Sequence, residues 1–164
     1  MVLYNGVILT YRRYGMRKPL FTGSGVAIVT PFTKDTVDLE AFGRLIDFQL
    51  AGGTDAVIVC GTTGEASTMT YGERMRTIEY CVERVGGRVP VIAGSGSNAT
   101  PNAIALGRDA VRAGADGLLV VTPFYNKATQ SGLVKPSTAI AHAPTKPHTL
   151  QDKPPRTAAT HAPE

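Results

Sequence analysis

Only two cysteines occur in this sequence, Cys60 and Cys81. So low a number suits a reducing cytoplasm. Cys60 closes a predicted buried strand and Cys81 lies on a predicted helix, so core packing is a better reading for both than redox or metal chemistry. The three histidines, His142, His148 and His161, lack the i, i+2 or i, i+4 spacing of a metal site. No apolar run approaches the roughly 18 residues of a membrane span. No small-residue cleavage site comes after an apolar core near the N-terminus, so secretion is not expected either, and a cytoplasmic location is. The net charge of +4 is modest and its basic residues are scattered rather than striped, which argues against a nucleic-acid partner.

Glycine is absent from the last part of the chain. All 18 glycines lie at or before Gly132. From Lys135 to Glu164 there are six prolines, no aromatic residue, and only Ile140 and Leu150 as large aliphatics. Such a stretch cannot bury a core of its own. Residues 1–15 also differ in character from the rest of the chain, and Met16-Arg-Lys-Pro-Leu-Phe-Thr-Gly reads as a natural start. The chain thus divides into three parts. Residues 1–15 are a non-native or disordered extension, an extra strand there being the less favoured alternative. Residues 16–134 are the folded part. Residues 135–164 are a proline-rich tail, expected to be poorly ordered or loosely attached.

Between those ends, strands and helices alternate. Val26–Thr30, Asp55–Cys60, Val89–Ala93 and Gly117–Val121 are near-continuous apolar runs. Asp38 opens a helix with Leu39, Phe42, Leu45, Ile46 and Leu50 at helical spacing, stopped by Gly52-Gly53. Thr70 and Glu73 form a capping box for a helix through Met75, Ile78, Val82 and Val85, which ends at Gly86-Gly87. Thr100-Pro101 fits the cap and first turn of a third helix. The run Ala51-Gly-Gly-Thr-Asp-Ala-Val-Ile-Val-Cys is echoed by Ala113-Gly-Ala-Asp-Gly-Leu-Leu-Val-Val-Thr. Repeated βα units with buried strands imply a parallel sheet, either a (β/α)8 barrel or a doubly wound sheet. No dinucleotide fingerprint opens the first helix, and Gly94-Ser-Gly-Ser lacks Walker spacing and its lysine.

The segment richest in chemistry is Cys60-Gly-Thr-Thr-Gly-Glu65. Glycines on both sides let the backbone turn sharply and open its N–H groups. Two adjacent hydroxyls, Thr62 and Thr63, with amides at the end of a parallel strand make a cradle for a carboxylate. On the loop alone, a strand leading into a polar turn and a helix cap is the simpler reading.

Four motifs taken together alter that balance. Gly25-Val-Ala-Ile-Val-Thr-Pro-Phe32, Gly61-Thr-Thr-Gly-Glu65, Val91-Ile-Ala-Gly-Ser-Gly-Ser-Asn98 and Val121-Thr-Pro-Phe-Tyr-Asn126 resemble, in order and spacing, the family of dihydrodipicolinate synthase and N-acetylneuraminate lyase. The resemblance runs from about Phe21 to Leu133, and the synthase branch fits best. It implies a (β/α)8 TIM barrel, of which this sequence holds the first four to five βα units with a degraded C-terminal tail. The loops at Thr62–Thr63, Ser95–Asn98 and Thr122–Asn126 then belong at the carboxyl ends of the strands.

The resemblance also implies a reaction. Family enzymes join pyruvate to a lysine amine as a Schiff base, and the derived enamine attacks an aldehyde. In the synthase that aldehyde is aspartate semialdehyde, on the route to diaminopimelate and lysine. Thr63 matches the holder of the pyruvate carboxylate and Thr62 the hydroxyl that passes protons. Tyr125 matches the tyrosine that crosses a subunit interface to complete the relay, which implies a homo-oligomer. Arg156, in Pro154-Pro-Arg-Thr157, matches the arginine that binds the aldehyde substrate's carboxylate. No cofactor and no metal are implied.

Three departures accompany these matches. Gln151 stands where the family has a second relay tyrosine, and an amide is neither acid nor base near neutral pH. The Schiff-base lysine is expected on a sixth barrel strand, beyond this sequence. None of Lys18, Lys34, Lys127, Lys135, Lys146 and Lys153 ends an apolar strand, where desolvation lowers an amine pKa. Arg74 and Asn102 stand where lysine-inhibited members carry His and Glu, so feedback inhibition by lysine is not expected. The favoured expectation is a synthase-like fragment, inactive alone. The alternatives are a non-catalytic half-barrel partner and another pyruvate-dependent aldolase such as N-acetylneuraminate lyase.

Overall fold

The computed structural model describes residues 8–11, 20–121 and 148–151. Six strands form one sheet in the order β1-β6-β5-β4-β3-β2. They are β1 (Ile8–Tyr11), β2 (Gly25–Ala27), β3 (Ala56–Val59), β4 (Val91–Gly94), β5 (Gly117–Val121) and β6 (His148–Gln151). Strands β2 to β6 are mutually parallel, with Val26 beside Val57, Val57 beside Val91, Ala93 beside Leu118 and Val121 beside Gln151. Three helices alternate with them: α1 (Leu39–Ala51), α2 (Tyr71–Val85) and α3 (Thr100–Arg112).

Local chemistry sets the helix ends. The Asp38 carboxylate accepts the Ala41 N–H at 2.9 Å and starts α1. The Thr70–Glu73 capping box is present, and α2 stops at Gly86 in the left-handed region, φ 59°. For α3 the sequence expectation needs correction. Thr100 is already helical, the cap position belongs to Ala99, and no side chain caps it. The nearby Ser97 hydroxyl instead accepts the Ala99 N–H at 3.2 Å.

The internal echo has a structural cause, with Gly53 matching Gly114 and Asp55 matching Asp116. Both glycines have positive φ, 77° and 96°, where the chain leaves a helix. Both aspartates open a strand and hold the start of a neighbouring one. Asp55 accepts the Ser24 N–H at 2.8 Å, and Asp116 accepts the Val91 N–H at 3.0 Å.

Strand residues alternate between two apolar faces, which explains their unbroken hydrophobicity. Val57, Val59, Val91, Ala93 and Leu118 pack with Phe42 and Ile46 of α1, Ile78, Cys81 and Val85 of α2, and Ala110 of α3. Ala56, Ile92 and Leu119 form the opposite face with Leu20, Phe21 and Ile58. Among the described residues, no helix residue joins that second face. Leu20 and Phe21 pack against it.

Two findings bear on the chain ends. The sequence favours an extension outside the fold for residues 1–15, yet Ile8–Tyr11 pairs antiparallel with β6. His148–Gln151 lacks apolar alternation, yet it pairs with all four residues of Leu118–Val121. Backbone ladder pairing needs no particular side chain, so His148–Gln151 forms a strand without an apolar pattern, whereas Ile8–Tyr11 is the extra strand that the sequence offered as the less favoured alternative.

Candidate functional site

The candidate site lies at the carboxyl ends of β2, β3 and β4. After β3 the chain enters a run of tight turns from Gly61. Gly64 N–H donates to Gly61 O at 3.1 Å and Glu65 N–H to Thr62 O at 3.1 Å. Cys60 and Glu65, neither a glycine, bracket this loop at φ 53° and 54°. Left-handed backbone at such residues costs energy and persists only where the surroundings impose it. The Thr62 and Thr63 side chains between them are exposed. Neither hydroxyl has a hydrogen-bond partner among the described residues.

Two supports impose that geometry. Thr30, 4% exposed just beyond β2, donates its hydroxyl to Gly64 O at 2.9 Å. Gly94, at the end of β4, lies so close to β3 that an added Cβ would fall 2.0 Å from Cys60 O. No other residue fits there. Ser95 comes next, 0% exposed, with its N–H on Leu119 O at 2.9 Å. Gly96 sits against Val121, whose Cγ2 would be 2.6 Å from an added Cβ. The ends of β3, β4 and β5 are thus in direct contact.

The Arg74 guanidinium, in the first turn of α2, donates to Gly94 O at 2.5 Å. Burial pushes the pKa of Arg74 down, with Cys60 opposing it. Burial also pushes the Cys60 thiol up to about 12, so it is no thiolate at neutral pH. Among the described residues there is no group of three His, Cys, Asp or Glu able to hold a metal. No described helix is long and apolar enough to cross a membrane.

Thr62 and Thr63 lie in the loop that follows β3, and the Ser95–Asn98 loop shares their end of the sheet. Tyr125 and Arg156 lie outside the described residues, as does the Thr122–Asn126 loop. Gln151 ends β6, level with Val121 at the end of β5. Asn102 is exposed on α3, and Lys34 is exposed before α1. Sequence reasoning missed the positioning contacts of Thr30 and Gly94. A threonine ending an apolar strand, and a glycine ending another, were the available signals.

The chain matches the model of the dihydrodipicolinate synthetase family over residues 20–164, further than the four motifs reach. It is 54% identical over 145 residues to the 4-hydroxy-tetrahydrodipicolinate synthase of Geobacter sulfurreducens, covering 88% of this chain and 50% of that protein. The enzyme of the same name from Thermoanaerobacter sp. is 53% identical over 146 residues. The crystal structure of dihydrodipicolinate synthase from Aquifex aeolicus superposes with a TM-score of 0.83 at 47% identity, over 87% of this chain and 48% of that one. The Acinetobacter baumannii enzyme, solved with pyruvate, gives a TM-score of 0.81 at 42% identity, over 85% and 48%. The chain spans about half the length of the curated relatives it matches. Its parallel sheet is a part of their TIM barrel, and by family model, sequence identity and fold the chain belongs to the dihydrodipicolinate synthetase family.

Proposed function

We propose that this chain carries the pyruvate-binding portion of a 4-hydroxy-tetrahydrodipicolinate synthase-like site, in a cytoplasmic homo-oligomer. The observation behind this reading is the Thr62–Thr63 pair, exposed on a loop that Thr30 and Gly94 hold against the sheet. Thr63 takes the carboxylate of pyruvate through its hydroxyl and the loop amides, and Thr62 passes protons. A preorganised donor pair at a strand's carboxyl end stabilises an anion without reorganising as it binds. Tyr125 extends the relay from a neighbouring subunit, and Arg156 takes the carboxylate of aspartate semialdehyde.

The same reading makes the chain, by itself, unable to condense the two substrates. Covalent catalysis needs an amine that is partly neutral at working pH. An exposed lysine with a pKa of about 10.4 is almost wholly protonated at pH 7. Gln151 stands where the resemblance puts a relay tyrosine, and an amide is neither acid nor base near neutral pH.

Two measurements test the reading. Pyruvate titrated into the labelled chain should shift the amides of residues 61–65, and Thr63→Val should weaken binding about tenfold, the loss of one hydrogen bond to a charged group. Incubation with pyruvate and borohydride should leave the intact mass unchanged. A stoichiometric pyruvyl adduct on one lysine would show that the chain supplies its own nucleophile.

A further inference from the structure

Among the described residues, Arg74 is the one residue of α2 that hydrogen-bonds both neighbouring strand ends. Its guanidinium reaches Gly94 O at the end of β4, and its main-chain carbonyl accepts the Cys60 thiol at 3.8 Å at the end of β3. Gly94 and Cys60 themselves touch, backbone to backbone. Three residues from α2, β3 and β4 thus close on one another directly beneath the loop that presents Thr62 and Thr63. Among the described residues Arg74 has no carboxylate partner; the ion pairs there use Arg44, Arg84 and Arg112. Its Nε is buried without a hydrogen-bond partner, and so is Ser95 Oγ, next in sequence to Gly94. Partly burying a guanidinium without a counter-charge still costs free energy, so its place there needs a compensating contact. A charged donor on the Gly94 carbonyl supplies one, because such bonds are shorter and stronger than neutral ones.

The strain at Cys60 needs the same contact. With φ at 53° in a residue that has a Cβ, the backbone relaxes unless its neighbours prevent it. Relaxation there would swing Gly61–Glu65 away from β4, because Cys60 is the pivot at which the loop leaves β3.

We propose that Arg74 is a positioning residue, locking the Cys60 pivot to Gly94 so that Thr62 and Thr63 are held ready for the carboxylate of a 2-oxo acid. The proposal rests on reading the Thr62–Thr63 loop as a carboxylate cradle, and the experiment separates the two. Amide exchange at Gly64 and Glu65, both hydrogen-bonded within the loop, reports the lock without any ligand. Pyruvate titration reports the cradle. Arg74→Met keeps the apolar stem and removes donor and charge; Arg74→Lys keeps a cationic donor long enough to reach Gly94.

The expected result is exchange at Gly64 and Glu65 at least about tenfold faster in Arg74→Met, with pyruvate affinity about tenfold lower, and both restored to within about threefold in Arg74→Lys. Rescue by lysine separates positioning from simple packing, which the methionine stem also provides. Equal exchange and equal affinity in Arg74→Met and the unsubstituted chain would overturn the proposal. So would failure of Arg74→Lys to restore either. If the unsubstituted chain binds no pyruvate, the cradle reading fails, and the exchange rates alone still uphold or overturn the lock. Should Arg74→Met not fold, Arg74→Gln, polar but too short to reach Gly94, replaces it with the same expected and overturning results.

Discussion

Cys60 and Cys81 show how burial decides what a side chain can do. Both thiols are pushed from an ordinary value of 9.0 up to about 12, chiefly by desolvation, with Arg74 opposing the shift at Cys60. Raised thiol pKa values favour the neutral form in the folded chain. Their stabilising contribution is therefore complete below pH 9 and is lost as pH rises from 9 towards 12. At pH 8 Ellman's reagent should find no rapidly reacting thiol in the folded chain and two after denaturation in urea. A prompt reaction without denaturant would mean that at least one cysteine is not in the core. The sequence supports this outcome, since both cysteines sit in apolar periodic segments. The contacts of Thr30 with Gly64 and of Arg74 with Gly94 are different. They join residues 34 and 20 positions apart, and nothing in either local pattern names the partner.

Helices are easier to anticipate than the contacts between them, because their signals lie within one turn. The Thr70–Glu73 box is local, and it forms as expected: Glu73 accepts the Thr70 N–H at 2.9 Å while Thr70 caps the Glu73 N–H. Hydrogen bonds from the Thr70 N–H and hydroxyl hold the Glu73 carboxyl below its usual range. Thr70→Ala should cost about 1 kcal/mol, read as a lower urea midpoint at unchanged slope. A midpoint equal to that of the unsubstituted chain would show that packing of α2 alone fixes its start. Across the helices, Arg84 of α2 bridges Asp47 of α1, and Asp109 of α3 accepts the Tyr71 hydroxyl of α2 while pairing with Arg112 of its own helix. The Arg84–Asp47 pair is exposed, so it contributes little stability. The helical expectation fails only at α3, where Thr100 is already helical and the cap position falls to Ala99, which has no side chain able to cap. Proline at the first positions already removes a donor that would need capping.

The whole sheet poses a problem that no single element shows. Parallel strands β2 to β6 leave an outer edge on β6, and an unpaired edge invites another strand. In this chain Ile8–Tyr11 occupies that edge, running antiparallel, with Ile8 opposite Gln151 and Tyr11 opposite His148. Residues 8–11 lie outside the 20–164 span that matches the family, so the pairing is a feature of this chain rather than of the shared motif. The sequence could not announce it, because strand pairing across more than a hundred residues is set by which edge is open, not by local periodicity. Four β6 residues take part, and they belong to a segment with almost no large apolar side chains. Their order should therefore depend on pairing from both sides. Removing residues 1–15 should speed amide exchange across His148–Gln151 while leaving Ala56–Val59, inside the sheet, unchanged. It should also raise the apparent mass on light scattering as concentration increases, through pairing at the freed edge. If the shortened chain kept the same exchange rates at His148–Gln151 and the same mass, β1 would be an ornament on the sheet and not its guard.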